Sequence, residues 1–144
     1  MEVFRTDDEM LKRRAAWAVD PYFPVGLHGQ PDPEAALLKM LRFADFIVAA
    51  EAGEPVGLAV LYANDLRTRA AYITLFGVKD EYGRRGVGQM LLDACAELAL
   101  SRGMDRIRLE VTDSNERAVR FYMKHGFVRT GACGEDSSYM EKTL

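Results

Sequence analysis

The run Asp80-Glu81-Tyr82-Gly83-Arg84-Arg85-Gly86-Val87-Gly88-Gln89 carries the most legible chemistry in this sequence. Glycines at 83, 86 and 88 remove Cβ atoms, so backbone N–H groups can converge and a ligand can approach closely. If a helix starts here, its first amides have no partners and its dipole adds partial positive charge. The natural occupant is an anion, most commonly a pyrophosphate. Arg84 and Arg85 add forked, permanently charged donors suited to phosphate oxygens. Two other phosphate loops do not fit. A Walker A loop requires Gly-Lys-Ser/Thr, whereas Gly88 is followed by Gln89 and Met90. A Rossmann turn spaces its glycines G-x-G-x-x-G, whereas these read G-x-x-G-x-G. Glu110 falls about where a ribose-binding acid would, but only one strand–helix–strand crossover is evident and a meander precedes it.

The flanking elements must hold that loop. Glu2 to Arg5 reads as a short strand. Asp7 or Asp8 caps a helix through Met10, Leu11, Ala15 and Val19. Pro21 to Asp32 reads as a loop, broken by Pro21, Pro24, Gly26, Gly29 and Pro31, with Tyr22, Phe23, Leu27 and His28 to pack over something. Asp32 then caps a helix from Pro33 to Arg42. Phe46 to Glu51, Pro55 to Tyr62 and Ala70 to Val78 form an antiparallel meander, with turns at Ala52-Gly53-Glu54 and Asn64-Asp65. Lys79 to Gly83 is a short loop before a helix from about Arg85 to Arg102. Val87, Leu91, Cys95 and Leu98 mark its buried face, and Gln89, Asp93 and Glu97 its wet one. Cys95 therefore reads as a buried small hydrophobe. Ile107 to Val111 is a strand parallel to the one before the helix. Asp113, Ser114 and Asn115 offer caps for a helix from Glu116 to His125, and Phe127 to Gly131 and Ser138 to Thr143 close the chain as strands. The whole is one α/β (α+β) domain over residues 1–144, with a central mixed sheet of six to seven strands and about four helices.

Taken together, these segments resemble a known family. Val78, Tyr82-Gly83-Arg84-Arg85-Gly86-Val87-Gly88 and Leu91-Leu92 resemble motif A of the GNAT superfamily of acyl-CoA N-acyltransferases. Leu109-Glu110-Val111, Asn115, Ala118 and Phe121-Tyr122-Met123-Lys124-His125-Gly126-Phe127 are similar to its motif B region. The likeness covers roughly residues 70–128. One slot departs: where the superfamily commonly has Gln or Arg, this chain has Gly83. The resemblance implies a splayed parallel strand pair that holds acetyl-CoA (coenzyme A). The backbone at Phe76, Gly77 and Val78 would pair with the pantetheine arm, N–H groups from Arg84 to Gln89 would hold the pyrophosphate, and Asn115 and Tyr122 would contact the cofactor. It also implies Tyr122 as general acid toward the CoA sulfur, and it makes Glu110 a candidate base, as in some protein N-terminal acetyltransferases.

The chemistry imposes its own demands. An alkyl amine with a pKa of about 10.4 is almost wholly protonated at pH 7, so a proton acceptor is needed before attack on a thioester. Glu110, Asp65 and His28 are the candidates, and His125 reads as a helix-end histidine. Backbone N–H groups near Phe76 to Val78 would answer charge developing on the carbonyl oxygen. Tyr22, Phe23 and His28 on one rim, with Tyr62, Asn64 and Asp65 on the other, are the expected acceptor pocket. The expected acceptor is the primary amine of a small molecule (an amine, amino acid or amino sugar). Protein N-termini or lysines are the alternative, and a non-catalytic acyl-CoA-binding module is an alternative of another class. A homodimer is an open expectation, since many relatives in that superfamily are dimers.

Composition limits the rest. The 144 residues carry a net charge of −3, with 49% hydrophobic and 28% charged residues, so no basic field favours nucleic acid. Cys95 and Cys133 are too few for a disulfide framework or a four-ligand zinc site, and no metal is expected. No leader and no span of roughly 20 apolar residues is read, so a cytoplasmic protein without a membrane partner is expected.

Overall fold

The computed structural model describes residues 1–23 and 26–144; Pro24 and Val25, within the expected loop, lie outside the described residues. Seven strands form one sheet: β1 (Glu2–Thr6), β2 (Asp45–Glu51), β3 (Glu54–Tyr62), β4 (Ala70–Val78), β5 (Arg106–Thr112), β6 (Val128–Ala132) and β7 (Ser137–Thr143). Their order is β1-β2-β3-β4-β5-β7-β6, and only the β4–β5 pairing is parallel. The helices are α1 (Glu9–Val19), α2 (Pro33–Phe43), α3 (Val87–Ser101) and α4 (Glu116–Lys124). The mixed sheet, the meander and the β4–α3–β5 crossover therefore agree with the sequence.

Local chemistry sets the helix ends. Asp8, not Asp7, caps α1 by accepting from the amides of Met10 and Leu11 at 3.0 and 3.2 Å. Asp7 is instead held by Arg5 at 2.6 Å. α3 begins at Val87 and not at Arg85, because Gly86 adopts φ +77° and breaks the helical path just before it. Arg84 and Arg85 thus belong to the loop. Asp20–Tyr22, which enters the loop expected from Pro21, and Asp80–Tyr82, within the loop expected over Lys79 to Gly83, are single 3-10 turns.

Each face of the sheet has its own core. α3 and α4 cover one face, packing Leu91, Cys95 and Tyr122 against Ile73, Ile107, Leu109 and Met140. α1 and α2 cover the other, packing Ala15, Val19, Leu37 and Met40 against Phe46, Val48, Leu58 and Val60. Each buried Leu or Ile contributes roughly 1.5–3 kcal/mol relative to exposure. Leu98 on α3 is only half-buried; Ala99 takes the sealed position beside it.

One irregularity positions the site. Val60 pairs with Leu75, but Leu61 pairs with Ile73, so Thr74 is an extra residue in β4. Such a bulge bends the strand and breaks its pairing. The β4–β5 ladder ends at the same place, with Ile73 opposite Leu109. The extra residue also resets which side chains face which way. Leu75 joins the α1–α2 core, while Phe76 and Val78 join the α3 core.

Candidate active site

Beyond Ile73 and Leu109 the two parallel strands part, and a cleft of about 1190 Å³ opens between them. Phe76, Gly77 and Val78 line it from β4 and Leu109 to Thr112 from β5. Among the described residues β4 has no partner strand on that side past Ile73, which leaves its backbone groups there available to a ligand.

The loop before α3 closes one end. The first backbone bond of the helix runs from the Met90 N–H to the Gly86 carbonyl at 3.1 Å, leaving the amides of Gly86, Val87, Gly88 and Gln89 ahead of it. No side chain caps this terminus. A Cβ on Gly86 would meet nothing within 4 Å, so the loop faces open space. Uncapped amides and a positive dipole end are suited to an anion. Arg84, Gly86, Gly88 and Gln89 line the cleft there, whereas the Val87 side chain is buried in the α3 core and offers only its amide.

Two expected roles shift. Arg85 turns away, pairing with Glu51 at 3.4 Å and stacking over Tyr82 at 4.8 Å from the ring centre. In its place stands Arg117, from the first turn of α4, whose Nη2 would lie 2.8 Å from a Cβ on Gly83. Sequence reasoning missed Arg117 because an arginine on an exposed helix face looks solvated. Gly88 serves packing: a Cβ there would meet the Phe121 ring at 2.9 Å.

α4 forms the wall facing Phe76. Asn115 caps it by accepting from the Ala118 amide at 3.3 Å and also lines the cleft, so its side-chain NH2 remains available. Tyr122 is 9% exposed, its ring 5.9 Å from Phe76, 5.5 Å from Phe121 and 5.5 Å from Phe127. Burial, with a smaller push from Cys95, raises the phenol well above its ordinary value, so it stays protonated at neutral pH. Cys95 is fully buried, its thiol pushed up by burial to about 12. His125, the C-cap of α4, packs against Phe121 with ring centres 4.6 Å apart and planes tilted by 56°.

Glu110 lies on the opposite face of the sheet from Tyr122. Leu109 and Val111 point into the α3 core, and Glu110 alternates away from them. It is exposed at the cleft, opposite Tyr139 of β7. The opening therefore passes through the sheet, with a phenol on one side and a carboxylate on the other.

The expected acceptor residues divide. Tyr22, Phe23 and Tyr62 line the cleft, joined by Tyr72, Leu75 and Lys39. Phe23 is buried against the β4 backbone, where a Cβ on Gly77 would fall 2.4 Å from its ring. Burial raises Tyr62, burial and then the Glu110 charge raise Tyr72, and the Glu81 charge raises Tyr22. His28, Asn64 and Asp65 are not among the lining residues. His28 Nδ1 sits 3.0 Å from buried Asp20, Asn64 reaches the Phe43 carbonyl at 3.4 Å, and Asp65 accepts from the Arg67 and Thr68 amides. The Thr68 side chain, and after it the Thr68 amide, hold the Asp65 carboxyl below its usual value. Among the described residues no helix is long and apolar enough to cross a membrane, and no cluster of metal-ligating side chains is found.

Residues 12–127 match the model of the acetyltransferase (GNAT) family. The chain belongs to that family. The thialysine N-epsilon-acetyltransferase of Bos taurus is 37% identical over 81 residues, 51% of this chain and 48% of that protein. Ard1 from Thermoplasma volcanium has the same fold, with a TM-score of 0.77 and 25% identity over 100% of this chain and 99% of that one. A GNAT family acetyltransferase from Elizabethkingia anophelis, solved with acetyl-CoA bound, superposes with a TM-score of 0.68 over 90% of this chain and 88% of that one. At 17% identity that likeness speaks for the fold alone. The chain spans about half the length of the curated relatives it matches, 54% and 48% of the first two.

Proposed function

We propose that this protein transfers an acetyl group from acetyl-CoA to the primary amine of a small molecule by direct attack on the thioester. The observation that carries the reading is the parting of β4 from β5 at Thr74, which leads a bare strand edge up to an uncapped helix N-terminus. These groups fit an elongated ligand with a diphosphate at one end and an amide-bearing arm. The amides of Gly86 to Gln89 with Arg84 and Arg117 would take the diphosphate. The β4 edge at Phe76 to Val78, with the Asn115 side chain, would take the arm. When bound, acetyl-CoA supplies an activated acetyl thioester.

The remaining work belongs to the chain's own side chains. Glu110 accepts the ammonium proton directly or through one water, freeing the nitrogen lone pair. Tyr122 Oη, protonated at neutral pH for the reason given above, holds the proton that the leaving sulfur requires. Backbone N–H groups of β4 beyond Ile73 face the charge that builds on the carbonyl oxygen. The tyrosine-lined acceptor end, with Tyr22, Tyr62 and Tyr72, supports a small amine over a protein segment, and the name of the bovine relative supports the same class.

Calorimetry with coenzyme A, followed by thiol-detected CoA release across a panel of amines and a panel of peptides, tests the reading. Binding in the micromolar range and turnover confined to the amines is the expected result. Turnover of peptides alone would transfer the reading to protein acceptors, and binding without any turnover would leave a CoA-binding module.

A further inference from the structure

β5 presents Arg108 and Glu110 on the same face, two residues apart, which sets their Cα atoms roughly 7 Å from each other. Tyr72 stands beside Arg108 on β4, and Tyr139 beside Glu110 on β7. Glu110 and Tyr72 line the main cleft. Arg108 is not among those lining residues; it lines a separate, smaller groove of about 400 Å³, with Arg67, Arg106 and Glu141, next to the cleft residue Tyr72 in the β4–β5 ladder.

The charges in this groove are not equally free. Arg106 is occupied by Asp105 at 3.0 Å, the Thr68 carbonyl at 3.1 Å and Glu141 at 3.8 Å. Glu141 faces Arg108 across the β5–β7 ladder, yet the ion pair it makes is with Arg106. Arg108 has no carboxylate within ion-pair distance among the described residues; its guanidinium lies over the Tyr139 ring, 5.2 Å from the centre. A guanidinium that sits over a ring and makes no ion pair still has N–H donors to offer. Those donors form a fork suited to a carboxylate.

We propose that the acceptor is an amine carrying a carboxylate at its far end, its ammonium placed at Glu110 and its carboxylate at Arg108. The inference rests on the acetyl-transfer reading above and names the substrate class of the same site. The roughly 7 Å between the two Cα positions sets only the scale of the spacer, and Tyr72 and Tyr139 would flank its carbon chain. Neutral or doubly cationic amines would leave Arg108 unpaired beside the cleft, which makes the arginine a specificity determinant.

The test compares 5-aminopentanoate and 6-aminohexanoate with pentylamine and hexylamine, pairs that differ in the carboxylate. In the wild-type chain kcat/KM should favour the amino acids by tenfold or more, most of it in KM. Arg108→Met should bring the ratio toward one by raising KM for the acids far more than for the amines, and Arg108→Lys should restore part of it. Independently of turnover, 6-aminohexanoate should raise the melting midpoint of the CoA-saturated wild type more than hexylamine does, and Arg108→Met should remove the difference. Equal kcat/KM for acids and amines in the wild type overturns the inference, as does a gap that survives in Arg108→Met. Equal losses for both classes would mark Arg108 as structural and overturn it too. Turnover of plain amines without preference overturns this inference alone, whereas no turnover of any amine removes the acetyl-transfer reading with it.

Discussion

The phenol of Tyr122 is closed in by Phe76, Phe121 and Phe127, so removing the hydroxyl leaves the aromatic packing in place. Tyr122→Phe should therefore lower kcat by tenfold or more while the CoA dissociation constant measured by calorimetry stays the same. A variant with wild-type turnover would strip the tyrosine of its role. Glu110→Gln is the matching test on the other face: the acidic limb of the pH–rate profile should move or vanish, and an unmoved limb clears the carboxylate. At this scale the sequence was read unevenly. Tyr122 sits at helical spacing with Ala118 and Phe121, a pattern that alone says core, and only the motif around it singled it out. His28 and Asp65 looked like bases by residue type, but type says nothing of partners: Asp20 holds one, and a turn engages the other. Arg117 and Arg108 escaped because a charged residue on an amphipathic helix or an alternating strand has the same signature whether it faces water or a ligand.

Between residues and fold, the element that matters most is the bulge at Thr74. It left no trace in the run from Ala70 to Val78, since one additional residue in a continuous β-prone stretch changes neither composition nor boundaries. The glycine loop was legible as the turn that leads into α3, yet its glycines have different tasks. Gly86 provides the left-handed turn, while Gly88 allows α3 and α4 to approach. Gly88→Ala should push on the Phe121 ring, costing about 1–3 kcal/mol in chemical denaturation and weakening CoA binding. Gly131→Ala, where an added Cβ meets nothing within 4 Å, serves as the control and should change neither.

At the level of the whole molecule, the meander and the single crossover were readable from turn residues and periodicity. The placement of β7 between β5 and β6 was not, because the last two strands follow one helix and nothing in their sequence says which meets β5. Two cores on opposite faces share the sheet, and the buried groups within them set an alkaline limit. The folded Cys95 thiol is raised from 9.0 to about 12, so its contribution is intact below pH 9.0 and is lost as the pH climbs toward about 12. Buried Tyr122 acts in the same direction. Melting midpoints should thus hold steady to about pH 9 and then fall, more gently in Cys95→Ala if cavity loss is corrected for by the midpoint at neutral pH. Disulfide reagents should modify half-exposed Cys133 in the native protein and reach Cys95 only on unfolding. The parted strands have one more consequence. An apolar ribbon with an unmatched margin in the middle of a sheet is also a template for another chain of the same kind. If coenzyme A fills that margin as proposed, solutions stripped of it should scatter more light on warming than saturated ones, and the small molecule would act as a molecular chaperone for the chain that holds it.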